Sequence, residues 1–269
     1  MNVKNENLFK QIDRGREGLN KGLPTGLSKL DEDICGIQRS RYDLVFAKEK
    51  AGKSAFVNSC YILNPYDYLY KLGKTKDLKI FYFSLEMSEV AVLSKWYADK
   101  ILIDSNIVLS KGDNYFNDDL LKLAEKHIPY FDKMLDDSVE LICGQINPTG
   151  IYKHVKNWLH ANGSWINGYY VPNNPEITVI IIADTAGNLK LERVEGIASM
   201  KTTIDKLSEY FREFRDKYYC TPVMIMHTNR ATDNYNRDSD NDLLPKTSDI
   251  KETGQVVQDN QKCLIFVQI

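Results

Sequence analysis

A chain of 269 residues with 43% hydrophobic and 27% charged side chains is long enough for one large α/β domain or two small ones, each able to bury a substantial core. Lysine and arginine total 35 against 37 acidic residues, a net charge of −2. This balance excludes a monomer that coats nucleic acid with one basic face, but not a ring that holds it in a narrow channel. The polar N-terminus lacks the apolar core of a signal peptide and no run is long enough to span a bilayer, so no membrane association is expected and a cytoplasmic location is, or the host cytoplasm for a phage-encoded chain. Five scattered cysteines and four unclustered histidines offer neither a disulfide framework nor a zinc site.

Taken in order, residues 5–20 carry Leu8, Phe9, Ile12 and Leu19 among charges and predict a short amphipathic helix. Gly22, Pro24 and Gly26 mark turns before a first buried strand at about Tyr42 to Phe46. Directly after it stands AKEKAGKS, Ala47 to Ser54. A strand, a tight turn, Gly-Lys-Ser and a helix start outline a phosphate-binding loop, in which backbone N–H groups and a helix N-terminus surround phosphate oxygens. The candidate nucleotide-binding set is Ala47, Lys48, Glu49, Lys50, Ala51, Gly52, Lys53, Ser54 and Ala55, with Lys53 reaching the outer phosphates and the Ser54 hydroxyl on Mg²⁺. Ala47 stands where GxxxxGK[ST] has its first glycine, so Gly52 alone supplies free backbone conformations to the turn. The following helix should begin at Ser54 and break or end at Asn64-Pro65.

A second strand is predicted at Leu78 to Phe83, then a helix on which Val90, Leu93, Trp96 and Tyr97 fall at helical spacing. A less regular acidic stretch to Asp137 holds one helix, around Asn117 to His127. Strand-like Val139 to Cys143 precedes a helix capped by Asn147 with Pro148 at its first position. Gly163 to Glu176 reads as a surface loop or hairpin. Ile177 to Ile182, ITVIII, is the most apolar strand and is of the kind central parallel strands require. It ends at Ala183-Asp184. Met200, Ile204, Leu207, Phe211, Phe214 and Tyr218 form a helical core stripe, and strands at Pro222 to Met226 and Lys262 to Ile269 complete the set. Alternating strands and helices predict an open, mostly parallel α/β sheet flanked by helices, with ligands at the carboxyl ends of its strands.

Several ordered blocks resemble the C-terminal RecA-like ATPase domain of DnaB-type hexameric replicative helicases, a superfamily-4 P-loop NTPase. GLPTGLSKLDEDICGIQ is similar to that family's GxPTGxxxLDxxxxGxx opening, FYFSLEMS to its FFSLEMS block, and SDIKETGQVVQDN to its SDLRESGxIEQDAD; NPTGIYKHVKNW, IIIADTAGNLK and TPVMIMHTNR fall between in order. The resemblance runs from about Gly22 to Ile269. It implies a linker segment at 1–21 and a RecA-like ATPase domain at 22–269 whose trans-acting lysine and arginine finger would fall after the last residue.

By the same resemblance the chain would be an ATP-dependent motor acting on single-stranded DNA as a homo-oligomer, a hexameric ring, with a primase or helicase loader as candidate partner. Its catalytic residues would be Lys53, Glu86 as the carboxylate that orients or activates water, and Asp184, which would support Mg²⁺ together with Ser54. ATP and Mg²⁺ are the implied cofactors. Lys251, Glu252 and Gly254 would contact DNA, with Asn188 to Glu195 and Arg230 to Arg237 as nearby loops. Departures from the family pattern are Thr185 and Gly187 in place of a tyrosine and a glutamine, and His227 or Thr228 where a sensor glutamine is usual. Two other readings remain open: a RecA- or circadian-clock-type ATPase, and a non-catalytic nucleotide-binding assembly protein.

Overall fold

The computed structural model describes residues 3–18, 20–110, 115–194, 196–228 and 262–265. The first elements are helices α1 (Val3–Arg16) and α2 (Ser28–Ile34), strand β1 (Asp43–Ala47), helix α3 (Lys53–Val57), a π-helical segment (Asn58–Leu63) and α4 (Asn64–Lys71). Strand β2 (Leu78–Ser84) is followed by α5 (Glu89–Ile101), α6 (Ser105–Val108), α7 (Asp118–Glu125) and α8 (Ile128–Asp137). Then come β3 (Val139–Cys143), α9 (Pro148–Ala161), the hairpin β4 (Gly163–Ile166) and β5 (Tyr169–Pro172), and β6 (Thr178–Asp184). A small hairpin of β7 (Arg193–Val194) and β8 (Ile197–Ala198) leads into α10 (Met200–Tyr218), β9 (Thr221–His227) and β10 (Lys262–Ile265).

Among the described residues, six strands form one all-parallel sheet in the order β10-β1-β9-β6-β2-β3. The apolar run read as a central strand is central: β6 lies between β9 and β2, and all seven of its residues are buried. Helices on both faces make the sheet's alternation a division of labour. Ile181 and Ala183 pack with Ile151, Val155, Leu207, Phe211 and Phe214 of α9 and α10. Ile180 and Ile182 pack on the other side with Val57, Tyr61, Tyr66, Trp96 and Met134. Fully burying an aliphatic or aromatic side chain contributes about 1.5–3 kcal/mol, so these two layers dominate the folding energy. Among the described residues no helix is long and apolar enough to cross a membrane.

Pro65 does not end the helix that follows the phosphate loop. The chain stays helical from Lys53 to Lys71 because the π-helical segment Asn58–Leu63 widens the turn ahead of it, with Asn64 N–H reaching back to Ser59 C=O. Pro65 then sits in the first turn of α4, where its missing donor is tolerated. The widened segment also holds the opening turn, since Asn64 Nδ2 donates to Thr25 C=O at 2.8 Å. Gly26, at φ 82°, packs so tightly here that a Cβ would lie 2.2 Å from Asn64 Nδ2.

Two other readings change. The stretch before Asp137 holds a further helix, α8, with Pro129 in its first turn and Tyr130, Phe131 and Met134 buried. On α5 the buried face runs through Val92 and Trp96, while Val90 is exposed. A slight turn of the helix about its axis separates these faces, and spacing alone does not fix it.

Arg41 and Asp43 anchor the start of β1. The guanidinium donates to Asp43 Oδ2 from Nε at 2.9 Å and from Nη2 at 2.6 Å, and Tyr61 OH donates to the same oxygen at 2.9 Å. Arg41 Nη1 donates to the carbonyls of Ile34 and Gly36, tying α2 to the sheet. Both charged side chains are buried. Asp43→Ala should therefore leave an uncompensated buried charge and cost about 3–5 kcal/mol. In chemical denaturation its midpoint should fall sharply, while Asp216→Ala, whose carboxylate pairs with Arg215 at the surface, should stay near wild type.

Candidate nucleotide site

Strand β1 delivers the chain to the loop with Ala47 as its last, fully buried strand residue. This accounts for the alanine: a position in the strand needs no left-handed backbone, so the first glycine of the motif is not demanded by conformation here. The turn is made further on, where Lys50 (φ 61°) and Gly52 (φ 85°) adopt left-handed conformations and α3 begins at Lys53. The run of helix behind the loop directs its N-terminal N–H groups and dipole toward the turn.

Strand register collects the remaining residues at the same edge of the sheet. Ala47 is level with His227, and Ser84 is level with Asp184. Lys53 is buried, and its Nζ donates to Ala47 C=O at 3.1 Å and Lys48 C=O at 2.7 Å. Burial pushes its pKa down, opposed by the carboxylates of Asp184, Glu49 and Glu86. Ser54 Oγ donates to Asp184 Oδ1 at 3.0 Å, and Tyr82 OH donates to Asp184 Oδ2 at 2.8 Å. Burial raises the Asp184 pKa, while the hydrogen bonds from Tyr82 and Ser54 hold it down. Tyr82, fully buried and beside this carboxylate, has its phenol pKa pushed well up and remains a donor.

Glu86 lies just past β2, and its Oε2 accepts from Thr185 Oγ1 at 3.4 Å and Asn188 Nδ2 at 3.2 Å. Leu85 N–H donates to Asp184 C=O at 2.7 Å, fixing the ends of β2 and β6 to one another. Thr228 N–H donates to Ala47 C=O at 3.2 Å, so the end of β9 closes on the loop. His227 Nδ1 is buried with no hydrogen-bond partner among the described residues. Burial and then the charge of Lys53 push its pKa below the usual imidazole range, against the carboxylates of Glu49, Glu86 and Asp184.

The structure thus brings together the predicted loop, Lys53, Ser54, Glu86, Asp184, His227 and Thr228. Lys251, Glu252, Gly254, Arg230 and Arg237 lie outside the described residues. Sequence reasoning gave no role to Tyr82, and it named Asn188 only as the start of a loop near DNA, not as a partner of Glu86. The signal for Tyr82 was a phenol within a buried strand, which requires a partner for its hydroxyl; for Asn188 there was none.

The donor set suits a hard cation and an anion side by side. A hydroxyl and a carboxylate oxygen 3.0 Å apart match the oxygen ligands of Mg²⁺, which takes one or two protein groups and completes its shell with water and phosphate. Among the described residues there is no cluster of three or more His, Cys, Asp or Glu that could hold a metal. The loop and the Lys53 ammonium would supply the anion-binding half.

A family model for the DnaB-like helicase C terminal domain matches residues 22–154, a span that includes the loop, Glu86 and the Asn147 cap. Among curated proteins none matches the sequence. Among solved structures, an ATPase domain superposes with a TM-score of 0.68 at 18% identity, over 98% of this chain and 83% of that one. A DnaB-like replicative helicase, in a structure that concerns its interactions with primase, superposes with a TM-score of 0.75 at 18% identity, over 98% of this chain and 57% of that one. The fold is therefore that of helicase ATPase domains, the RecA-like α/β sheet.

Proposed function

We propose that the chain hydrolyses Mg²⁺-ATP at this edge of the sheet and couples the reaction to movement along single-stranded DNA, as a subunit of a hexameric ring. The observation that carries the reading is the Ser54–Asp184–Tyr82 chain of hydrogen bonds with Lys53 and Glu86 beside it. Side chains at the start of α3, just past β2 and at the end of β6 lie together, and they would bind metal and phosphate and orient water.

Phosphoryl transfer is mostly positioning and charge stabilisation, and each side chain here has a part in it. Lys53 and the loop N–H groups bind the phosphates. Ser54 and Asp184 would hold Mg²⁺, which neutralises charge on the phosphate oxygens. Glu86 orients the attacking water and takes its proton as the new oxygen–phosphorus bond forms and the bond to the leaving ADP oxygen breaks; the proton passes to phosphate. His227 and Thr228, at the end of β9, would sense the outer phosphate. A primase or loader is the partner class the family suggests.

The test is unwinding of a forked duplex. ATP should support strand separation and a non-hydrolysable analogue should not; hydrolysis without unwinding under conditions where the ring forms would remove the coupling from the proposal. For the DNA contacts, Lys251→Ala should weaken single-stranded DNA binding about equally for all sequences and lower the salt slope by about 0.7, the value for one lost phosphate contact on a single strand. An unchanged slope would place Lys251 away from DNA.

A further inference from the structure

Glu86 is exposed, on a side chain with several free rotors, yet water orientation demands one fixed carboxylate direction. The only hydrogen bonds to it seen among the described residues come from one short segment, Thr185 Oγ1 and Asn188 Nδ2, both to Oε2. That segment is itself held firmly. Ala186 and Leu189 are buried in the core beneath it, and Asn188 N–H closes the turn on Thr185 C=O at 2.9 Å. Lys190 N–H donates to Ile146 C=O at 3.0 Å, anchoring the far side. On the other partner, the Leu85–Asp184 backbone hydrogen bond fixes the root of Glu86 against the same strand end. Donors and acceptor therefore stand on two adjacent strand ends that cannot drift apart.

We propose that Asn188 and Thr185 are positioning residues for the reaction: they occupy Oε2 of Glu86 and so turn Oε1 toward the attacking water. The proposal rests on the reading of Glu86 given above. Asn188 contributes the stronger geometry, at 3.2 Å against 3.4 Å for the threonine. Both hydrogen-bond Glu86 and would act through it, so their loss should appear in kcat and not in binding.

The experiment is single-turnover ATP hydrolysis by the assembled full chain, with nucleotide affinity measured in parallel by a fluorescent ATP analogue and folding checked by thermal denaturation. Asn188→Ala and Thr185→Val should each lower kcat roughly tenfold, a share of the 10²–10⁴ that a general base contributes, with KM and analogue affinity unchanged. Asn188→Asp, similar in shape but without the amide donor, should be no faster than Asn188→Ala, and Thr185→Ser, which keeps the hydroxyl, should restore the wild-type rate. In a Glu86→Gln background Asn188→Ala should add nothing. Wild-type rates in both single variants, alongside a slow Glu86→Gln protein, would overturn this proposal and leave the role of Glu86 standing. A further loss on top of Glu86→Gln would likewise overturn it, by showing that Asn188 acts elsewhere. A Glu86→Gln protein as fast as wild type would overturn both.

Discussion

Lys53→Ala is expected to abolish ATP turnover, with a fall on the order of 10²–10³ or more and a marked loss of nucleotide affinity, since removing a single preorganised group facing transition-state charge has effects of that size. Among the described residues its ammonium is the only cationic group seen within the loop's interior, where two backbone carbonyls hold it beside the helix N-terminus. Low local polarity makes each contact with phosphate stronger than it would be in water. Fold stability should change little by comparison, because Ala47 C=O keeps its hydrogen bond from Thr228 N–H. Isothermal titration with ATP and steady-state hydrolysis check both halves; near-normal affinity in the variant would move the phosphates away from this loop.

Glu86→Gln should behave in the opposite way, keeping nucleotide affinity while slowing single-turnover hydrolysis by about 10²–10⁴. The amide preserves the side chain's shape but cannot take a proton from water. Binding is left to the loop, Ser54 and Asp184, none of which hydrogen-bonds Glu86 through a side chain. A variant that loses affinity and rate together would place Glu86 in substrate binding instead.

The strand, turn and helix start around AKEKAGKS and the central strand were legible because their signals are local. AKEKAGKS follows an apolar strand, and ITVIII has no charged residue to face solvent. The parallel order β10-β1-β9-β6-β2-β3 agrees with the alternation of strands and helices from which the α/β class was read. What escaped depended on partners distant in sequence. Tyr82 matters because β2 and β6 pair in a register that brings its hydroxyl to Asp184, 102 positions away. Asn188 matters because that same pairing sets its amide against Glu86, again 102 positions away. The helix through Pro65 was misread for a different reason: proline's local preference yields to a widened π turn that packs Tyr61, Ile62 and Leu63 into the core.

The measurement closest to the central claim is steady-state ATP hydrolysis by the assembled chain, titrated with single-stranded DNA of mixed sequence, beside the Glu86→Gln variant. Hydrolysis that rises with DNA in the wild type and stays at background in the variant is the predicted result. Turnover indifferent to DNA, or equal in the two proteins, would contradict the assignment of this site as the motor's ATPase centre.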